Sequence, residues 1–549
     1  MRERQRIGTV IQGSLLEGLT AKLEPSASVE SMRVGNFVVI EGQKKQFFSL
    51  ITDVALDATN EQVLLDPPAG ADDFANSILA GTSTFGTVKI APMLMLDVES
   101  SLEDQGLRPV KTVPSHFSPV YEADEDDFLR VFQEDTVSGV ERVGKKKFFE
   151  IGKPLNMEVP VCMDLERFVE RSNGIFGKSG TGKSFLARLM LSGIIKSHAA
   201  VNLVFDMHNE YGWETQSEES GHFVKGLRQL FGPQVLSYTL DPESTRNRNV
   251  QPDGVVVIGL NQIQVEDVAL LQEELNLTST AVESSYLLVD RYRERWLQEL
   301  LNMDAETLRD FARESGAHPE AMAALKRKLD MIGRLGFVKE HVDDSVIDEI
   351  VRSIESGRHV ILEFGRYDNP RAYILVANII TRRIHDLYRK KTERYQQTKK
   401  PEDRPRQLMI TIEEAHKFLN PVAARQTIFG TIAREMRKYF VTLLVIDQRP
   451  SGIDTEVLSQ IGTKITALLN DEKDIEAVFT GVSGGGRLKG LLAALDPRQQ
   501  ALVLGYAVPM PVEVRARSYD EAFYKAMGHR ERDEQRREAE KARMELFGE

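Results

Sequence analysis

Residues 177–184 read Gly177-Lys178-Ser179-Gly180-Thr181-Gly182-Lys183-Ser184, which satisfies G-x-x-x-x-G-K-[ST] at every fixed position. That spacing serves the binding of a phosphate chain. Backbone N–H groups of such a loop wrap a β-phosphate, its glycines bend where a Cβ would clash, and it empties into a helix N-terminus that favours anions. In this arrangement Lys183 reaches the β and γ phosphates, Ser184 holds Mg²⁺, and Phe185 completes the cofactor-binding stretch. A Gly-rich β-turn ahead of a helix is the plain structural alternative, and the flanking sequence speaks against it.

A second cluster lies far downstream. The apolar run Leu408-Met409-Ile410-Thr411-Ile412 reads as a buried strand and ends in Glu413-Glu414. Nucleotide hydrolysis needs an acid to order the Mg²⁺ water shell and another group to orient or deprotonate the attacking water. Because successive strand side chains point to opposite sides, Glu413 is expected to face the metal and Glu414 the water. A helix start that attracts acidic residues is the competing reading. The next apolar strand, "VTLLVID", is followed by Gln448, placed to contact a γ-phosphate or, more simply, to fill a turn. Ahead of that strand "TIAREMRKYF" carries Arg434 and Arg437 at i, i+3 on one helical face. A guanidinium donated across a subunit boundary is worth roughly 10³ to 10⁵ in rate, although surface helices also carry arginines routinely. The spacing does not choose between the two.

The elements that must position these groups follow from hydrophobic periodicity. Residues 1 to about 100 hold short β-type runs, with Gly42-Gln43-Lys44-Lys45 expected to turn a hairpin, and predict a small β-barrel or sandwich. Residues 101–150, rich in proline and acids, read as a linker leading into the next domain, and the acidic run Glu122 to Asp127 as a solvated face. From 151 to 261 strands and helices alternate, the pattern of an α/β fold with a parallel sheet: "NGIF" feeds the phosphate loop and "VNLVFD" is a later strand. Residues 262–345 read as a helical insertion, and 346–515 resume the sheet, with Gly357 stopping a helix and "ERYQQTKKPEDRPRQ" as a polar loop. Residues 516–549 predict a solvated helical extension.

Composition narrows the class. With 549 residues, 41% hydrophobic and 28% charged, the chain has the make-up of a globular protein of several domains. A single cysteine, Cys162, excludes an internal disulfide framework and fits a reducing cytosol, so a cytoplasmic location is expected. The basic start lacks the apolar core of a signal peptide, and no run approaches a membrane span. A net charge of -13 argues against a surface coated in basic residues, while leaving room for a local basic channel. The ten histidines show no H-x-x-x-H pair and there is no C-x-x-C, so zinc is not expected.

On these motifs the chain resembles the HerA-type ATPases, hexameric DNA translocases of the FtsK–HerA branch of P-loop motors. "GIFGKSGTGKS", "FDMHNEYG", "ITIEEAHKFL", "IAREMRKYFVTLLVIDQRPSGIDTEVLSQIGTKI" and "QQALVLGYAVPMPVEVRAR" occur in family order. The resemblance is most specific over residues 150–515 and extends to the N-terminal β region, which is similar to the barrel named for HerA and ATP synthase. It implies a RecA-like P-loop NTPase domain behind that barrel, a homohexamer with ATP and Mg²⁺ held between subunits, and double-stranded DNA in the central channel. It places the phosphate-loop lysine at Lys183, the catalytic glutamate at Glu414, the sensor glutamine at Gln448 and the trans arginine at Arg434 or Arg437. Arg171 matches a further basic residue of the nucleotide site, and Asp206 the acid of the second strand, expected near the metal. The family's Asp-Glu pair is Glu-Glu here, so the longer Glu413 is expected to bind metal through water.

Two readings of function follow. One is an ATP-driven translocase or helicase that delivers duplex DNA to a NurA-type nuclease during end processing and repair. The other is a ring-shaped ATPase scaffold that assembles and regulates a nuclease or sirtuin-like effector in antiviral defence, with the barrel as docking surface. A conjugation or segregation pump is weakened by the missing membrane segment.

Overall fold

Short β-branched and aromatic runs between turns build the N-terminal strands β1 (Arg6–Ser14), β2 (Gly18–Leu23), β3 (Phe37–Glu41), β4 (Lys45–Ala58), β5 (Thr84–Asp97), β6 (Arg108–Pro109) and β7 (Pro119–Glu122). Their order is β2-β1-β7-β3-β4-β5-β6, and β2 also pairs with β5, so six strands close on themselves while β6 lies beside β5. Closure removes the exposed edges that make open sheets sticky. Alternate residues such as Ile7, Leu19, Val38, Ile51 and Val88 fill the interior. The hairpin turn falls where expected, with Gly42 N donating to Lys45 O at 2.8 Å. The computed structural model describes residues 4–59, 84–97, 106–132, 148–216, 221–343, 346–367, 369–482, 485–497 and 499–529.

Two expectations for this region are corrected. The proline-rich stretch is not all linker: β7 inserts between β1 and β3, starting at a proline whose missing N–H is tolerated at a strand's first residue. Nor is the acidic run all solvated. It starts helix α1 (Glu125–Phe132), where the Asp127 N–H bonds to Asp124 Oδ1 at 2.8 Å, and the Asp127 carboxylate is fully buried against Arg4. Burial pushes that carboxyl up to about 6 even beside the guanidinium.

The chain divides into two units, one comprising Met1–Asp164 with Thr463–Arg517 and the other Leu165–Gly462 with Ser518–Glu549. Besides the barrel, the first holds β8 (Phe148–Pro154), β9 (Val161–Asp164), β17 (Thr463–Thr466), β18 (Gln500–Gly505) and β19 (Val512–Ala516), paired antiparallel. The last part of the expected 346–515 segment, from Thr463 onward, is thus grouped with the first unit.

The second unit is built on β10 (Asn173–Phe176), β11 (Val201–Asp206), β12 (Val235–Thr239), β13 (Gly254–Val255), β14 (His359–Glu363), β15 (Leu408–Glu413) and β16 (Val441–Asp447). These run parallel in the order β13-β12-β14-β11-β15-β16-β10. The central strands are buried on both faces, as helix-covered parallel sheets require. Helices fill most of Val265–Gly333, as expected of the insertion, around a buried Trp296 whose Nε1 donates to Ile263 O at 3.0 Å. Helix α2 (Lys183–Ser197) follows the phosphate loop and α3 (Pro370–Thr398) returns across the sheet. The first six residues of the expected polar loop are thus helical. Asn369 caps α3, and its apolar face continues through Tyr388 and Thr392, so the helix outlasts the polar appearance of its sequence. Gly357, at φ 92°, ends the helix before β14 as anticipated. Of the C-terminal extension, Glu521–Ala526 is helical, and residues 530–549 lie outside the described residues.

One buried side chain ties the sheet to pH. His359 opens β14, its Nδ1 accepts the backbone N–H of Asn202 on β11 at 3.1 Å, and burial depresses its pKa from 6.5 to about 4. The unfolded chain binds a proton that the folded chain refuses, so this contribution to stability is present above pH 6.5 and is lost as pH falls toward 4. Urea unfolding at pH 7 and pH 5 should therefore show a larger loss of stability for the wild type than for His359→Leu.

Candidate functional site

The phosphate loop lies between β10 and α2, at the C-terminal edge of the parallel sheet. Gly180 (φ 75°) and Gly182 (φ 86°) take left-handed conformations that admit few other residues, and Gly182 is the residue from which α2 starts. The loop is closed on its own carbonyl: Lys178 O accepts from Thr181 Oγ1 at 2.7 Å and from Lys183 Nζ at 2.9 Å. Burial lowers the Lys183 ammonium below its usual range, opposed by Glu414, Asp447 and Glu413. Ser179, Lys183, Ser184 and Phe185 face a cleft of about 230 Å³, across which stand Glu413, Glu414 and Gln448. The sheet thus brings together residues separated by more than two hundred positions. A larger cavity of about 600 Å³ beside the helical insertion contains none of these groups.

Both glutamates line this cleft, but not by strand alternation. β15 ends at Glu413, and Glu414 then adopts φ 48°, a left-handed conformation uncommon outside glycine. The turn, rather than the pleat, aims Glu414. Its Oε1 accepts from Gln448 Nε2 at 2.9 Å. Glu413 is buried, and Tyr211 Oη donates to its Oε1 at 2.9 Å. Tyr373, from α3, grips the same residue's backbone, accepting from Glu413 N at 2.9 Å and donating to Glu413 O at 3.2 Å. Burial, then the nearby Asp206 and Glu210, raise the Glu413 carboxyl well above the carboxylate range. A divalent cation would reverse that preference. Glu413 has a second oxygen, Oε2, buried without a hydrogen-bond partner, and with Ser184 across the cleft this donor set fits Mg²⁺ held partly through water.

Other expected residues stand elsewhere. Asp206 ends β11 fully buried, with Oδ1 accepting from Glu210 N at 2.7 Å and Oδ2 from Tyr211 N at 2.9 Å. It staples the loop that presents Tyr211, and it does not line the cleft. Arg171 precedes β10 at the opposite edge of the sheet from the phosphate loop, its side chain against Gly462. Helix α4 (Ile428–Glu435) carries Arg434, whose Nη2 donates to Ala424 O at 2.8 Å, while Arg437 is exposed on the turn that leads into β16. β16 spans seven residues, so Arg437 lies on the order of 20 Å from its own cleft.

Four contributors escaped the sequence reading. Tyr211 sits in "FDMHNEYG" without a catalytic residue type, and Tyr373 lies 40 residues before its partner on another element. Asp447 and His416 form the remaining pair: Asp447 Oδ2 accepts from His416 N at 2.7 Å and lies 3.0 Å from His416 Nδ1. That hydrogen bond is the main reason the imidazole is raised above its usual range. Tyr373→Phe would leave the N–H and C=O of Glu413 buried and unpaired, a loss of about 1–3 kcal/mol that urea unfolding should register.

Comparison with known proteins agrees with this geometry. Residues 149–384 match the family described as "Helicase HerA, central domain", and residues 7–109 match the HAS barrel domain. The "DNA double-strand break repair helicase HerA" of Sulfolobus acidocaldarius is 23% identical over 519 residues, 94% of this chain and 93% of the relative. The protein of that name from Pyrococcus furiosus is 22% identical over 487 residues, 83% and 81% of the two chains. Among solved structures, VirB4 of Thermoanaerobacter pseudethanolicus is 17% identical over 69% of this chain and 98% of that one, at a TM-score of 0.45. With a barrel ahead of a parallel-sheet domain, each matched in its own right, and HerA relatives along most of its length, the chain belongs to the HerA helicase family.

Proposed function

We propose that this chain hydrolyses ATP with Mg²⁺ as one subunit of a homohexamer that drives double-stranded DNA through its centre. The observation that carries this reading is the division of the hydrolytic set between the two edges of one sheet. Lys183, Ser184, Glu413, Glu414 and Gln448 converge on the cleft, whereas Arg171 and Arg437 belong to the opposite edge. A cation at that edge cannot serve its own cleft, but a second copy of the chain can present it. Arg434 is held by its own chain's Ala424 O, which leaves Arg437 as the better donor across the boundary.

In this reading Lys183 leaves the Lys178 carbonyl for the β and γ phosphates, and Ser184 and Glu413 hold the metal. Bound Mg²⁺ supplies neutralisation of the phosphate charge and an ordered shell of water. Glu414 takes the proton of the attacking water, and Gln448, already bonded to Glu414, reaches the γ-phosphate. The named relatives are double-strand break repair helicases, which supports DNA as the track and end processing as the setting. A NurA-type nuclease docking on the barrel is the partner this reading calls for, and the cytoplasm is its location.

ATP turnover with and without linear duplex DNA tests the proposal, alongside a mass measurement of the assembly. Turnover stimulated by DNA in a six-subunit particle, and abolished by Lys183→Ala and by Glu414→Gln, is expected. Turnover indifferent to DNA would instead favour the ring-shaped scaffold for a defence effector. Arg437→Ala should lower turnover by roughly 10³-fold and Arg434→Ala by far less. Mixing Arg437→Ala with Lys183→Ala subunits should restore part of the activity, because some interfaces then contain both intact residues; two inactive proteins that stay inactive when mixed would exclude action across subunits.

A further inference from the structure

The carboxylate of Glu414 is approached from two sides. Gln448 Nε2 donates to Oε1 at 2.9 Å, and His416 Nδ1 lies 3.7 Å from Oε2. The two holds differ in how firmly they are built. Gln448 sits just past the end of β16, half-buried at the cleft, where a bound nucleotide would compete with Glu414 for its amide. His416 is fixed. Its backbone N–H bonds to Asp447 Oδ2 at 2.7 Å, and its ring nitrogen lies 3.0 and 3.2 Å from the two Asp447 oxygens. Asp447 is fixed in turn, because it is buried at the end of β16 and its Oδ1 also accepts from Arg449 N at 2.7 Å. On the other side lies Gly452, where an added Cβ would stand 3.2 Å from His416 Cβ, so a larger residue there would press on the histidine.

This geometry has a chemical consequence. Nδ1 faces the carboxylates of both Asp447 and Glu414, so it carries a hydrogen, donated to Asp447 and directed close to Glu414. Without that hydrogen two carboxylates would face each other across the turn, and Glu414, less buried than Asp447, is the one able to move away. We infer that His416 is a positioning residue for Glu414: anchored on Asp447, it keeps the carboxylate aimed into the cleft when Gln448 turns to the nucleotide. The inference rests on the reading of Glu414 as the group that receives the proton of the attacking water. It assigns His416 no contact with ATP and no proton transfer of its own.

The experiment compares His416→Ala, His416→Asn and His416→Gln with Glu414→Gln in the full-length chain, measuring kcat and KM for ATP together with the affinity for a fluorescent ATP analogue. His416→Ala should lower kcat by about 10- to 100-fold with KM and analogue affinity within about two-fold of wild type, the pattern of an interaction needed only in the chemical step. An asparagine amide sets an N–H near the position of Nδ1, and a glutamine amide reaches the same carboxylates, so one of these two should recover kcat to within about five-fold. Either polar variant serves for the comparison if the other does not fold. Wild-type kcat in His416→Ala would overturn the inference, as would a loss equal in all three variants or a rise in KM matching the fall in kcat. Turnover that survives Glu414→Gln would remove the underlying reading of Glu414 instead, so the two failures are distinct.

Discussion

Four neighbouring strands of the parallel sheet end in a carboxylate, and the second unit is arranged around keeping those acids together away from water. Glu363 closes β14, Asp206 β11, Glu413 β15 and Asp447 β16, all buried. Unpaired acids in such a place would be strongly disfavoured. Each therefore has its own partner: Arg248 for Glu363 at 2.6 Å, two backbone N–H groups for Asp206, the Tyr211 phenol for Glu413, and His416 for Asp447. The cost shows in the raised pKa values of Asp206 and Glu413, and in Glu363, pushed up to about 7 by burial with Asp206 adding to it. Partners are recruited from distant segments, so the acid row dictates where α3 and the loop after β11 must lie.

That row also explains the form of the phosphate loop. Lys183 is the cation set against the acids, yet it rests on the Lys178 carbonyl rather than in contact with any of them. An ammonium already bonded to Glu413 or Glu414 would have to break a strong ion pair before it could reach a phosphate, whereas a carbonyl releases it at smaller cost. The negative cleft and its half-buried lysine together suit a ligand that would bring both negative phosphates and a positive metal. The acids at the strand ends are buried, whereas the Lys183 side chain and the Gln448 amide, which the proposed reaction would rearrange, are half-buried.

Much of this was legible beforehand because it depends on local chemistry. The phosphate loop needs glycines at positions that only glycine fills easily, so its spacing identifies it, and alternating apolar runs announce a helix-covered parallel sheet. The hairpin at Gly42–Lys45, the stop at Gly357 and the helical insertion were readable for the same reason: each is decided within a few residues. Where the reading failed, the deciding partner was remote. β7 is four residues long and forms only because β1 and β3 offer open edges, and Asp127 is buried only because Arg4 reaches it.

The sequence by itself determined that there is a phosphate-binding loop, that two carboxylates follow a buried strand, and that a barrel precedes the domain that carries them. Tertiary structure alone decided how these parts work together. Parallel pairing brings the ends of β10, β15 and β16 level, which sets Glu413 and Glu414 opposite Lys183. A left-handed turn at Glu414, not the strand's alternation, aims the second carboxylate. Asp206 became a staple because its oxygens met backbone N–H groups first, and Arg171 and Arg437 fell at the far edge because each precedes its strand. Spacing along a chain fixes which residue types are near one another, whereas direction and distance across a sheet depend on which strands pair, and that is set by burial summed over the whole domain.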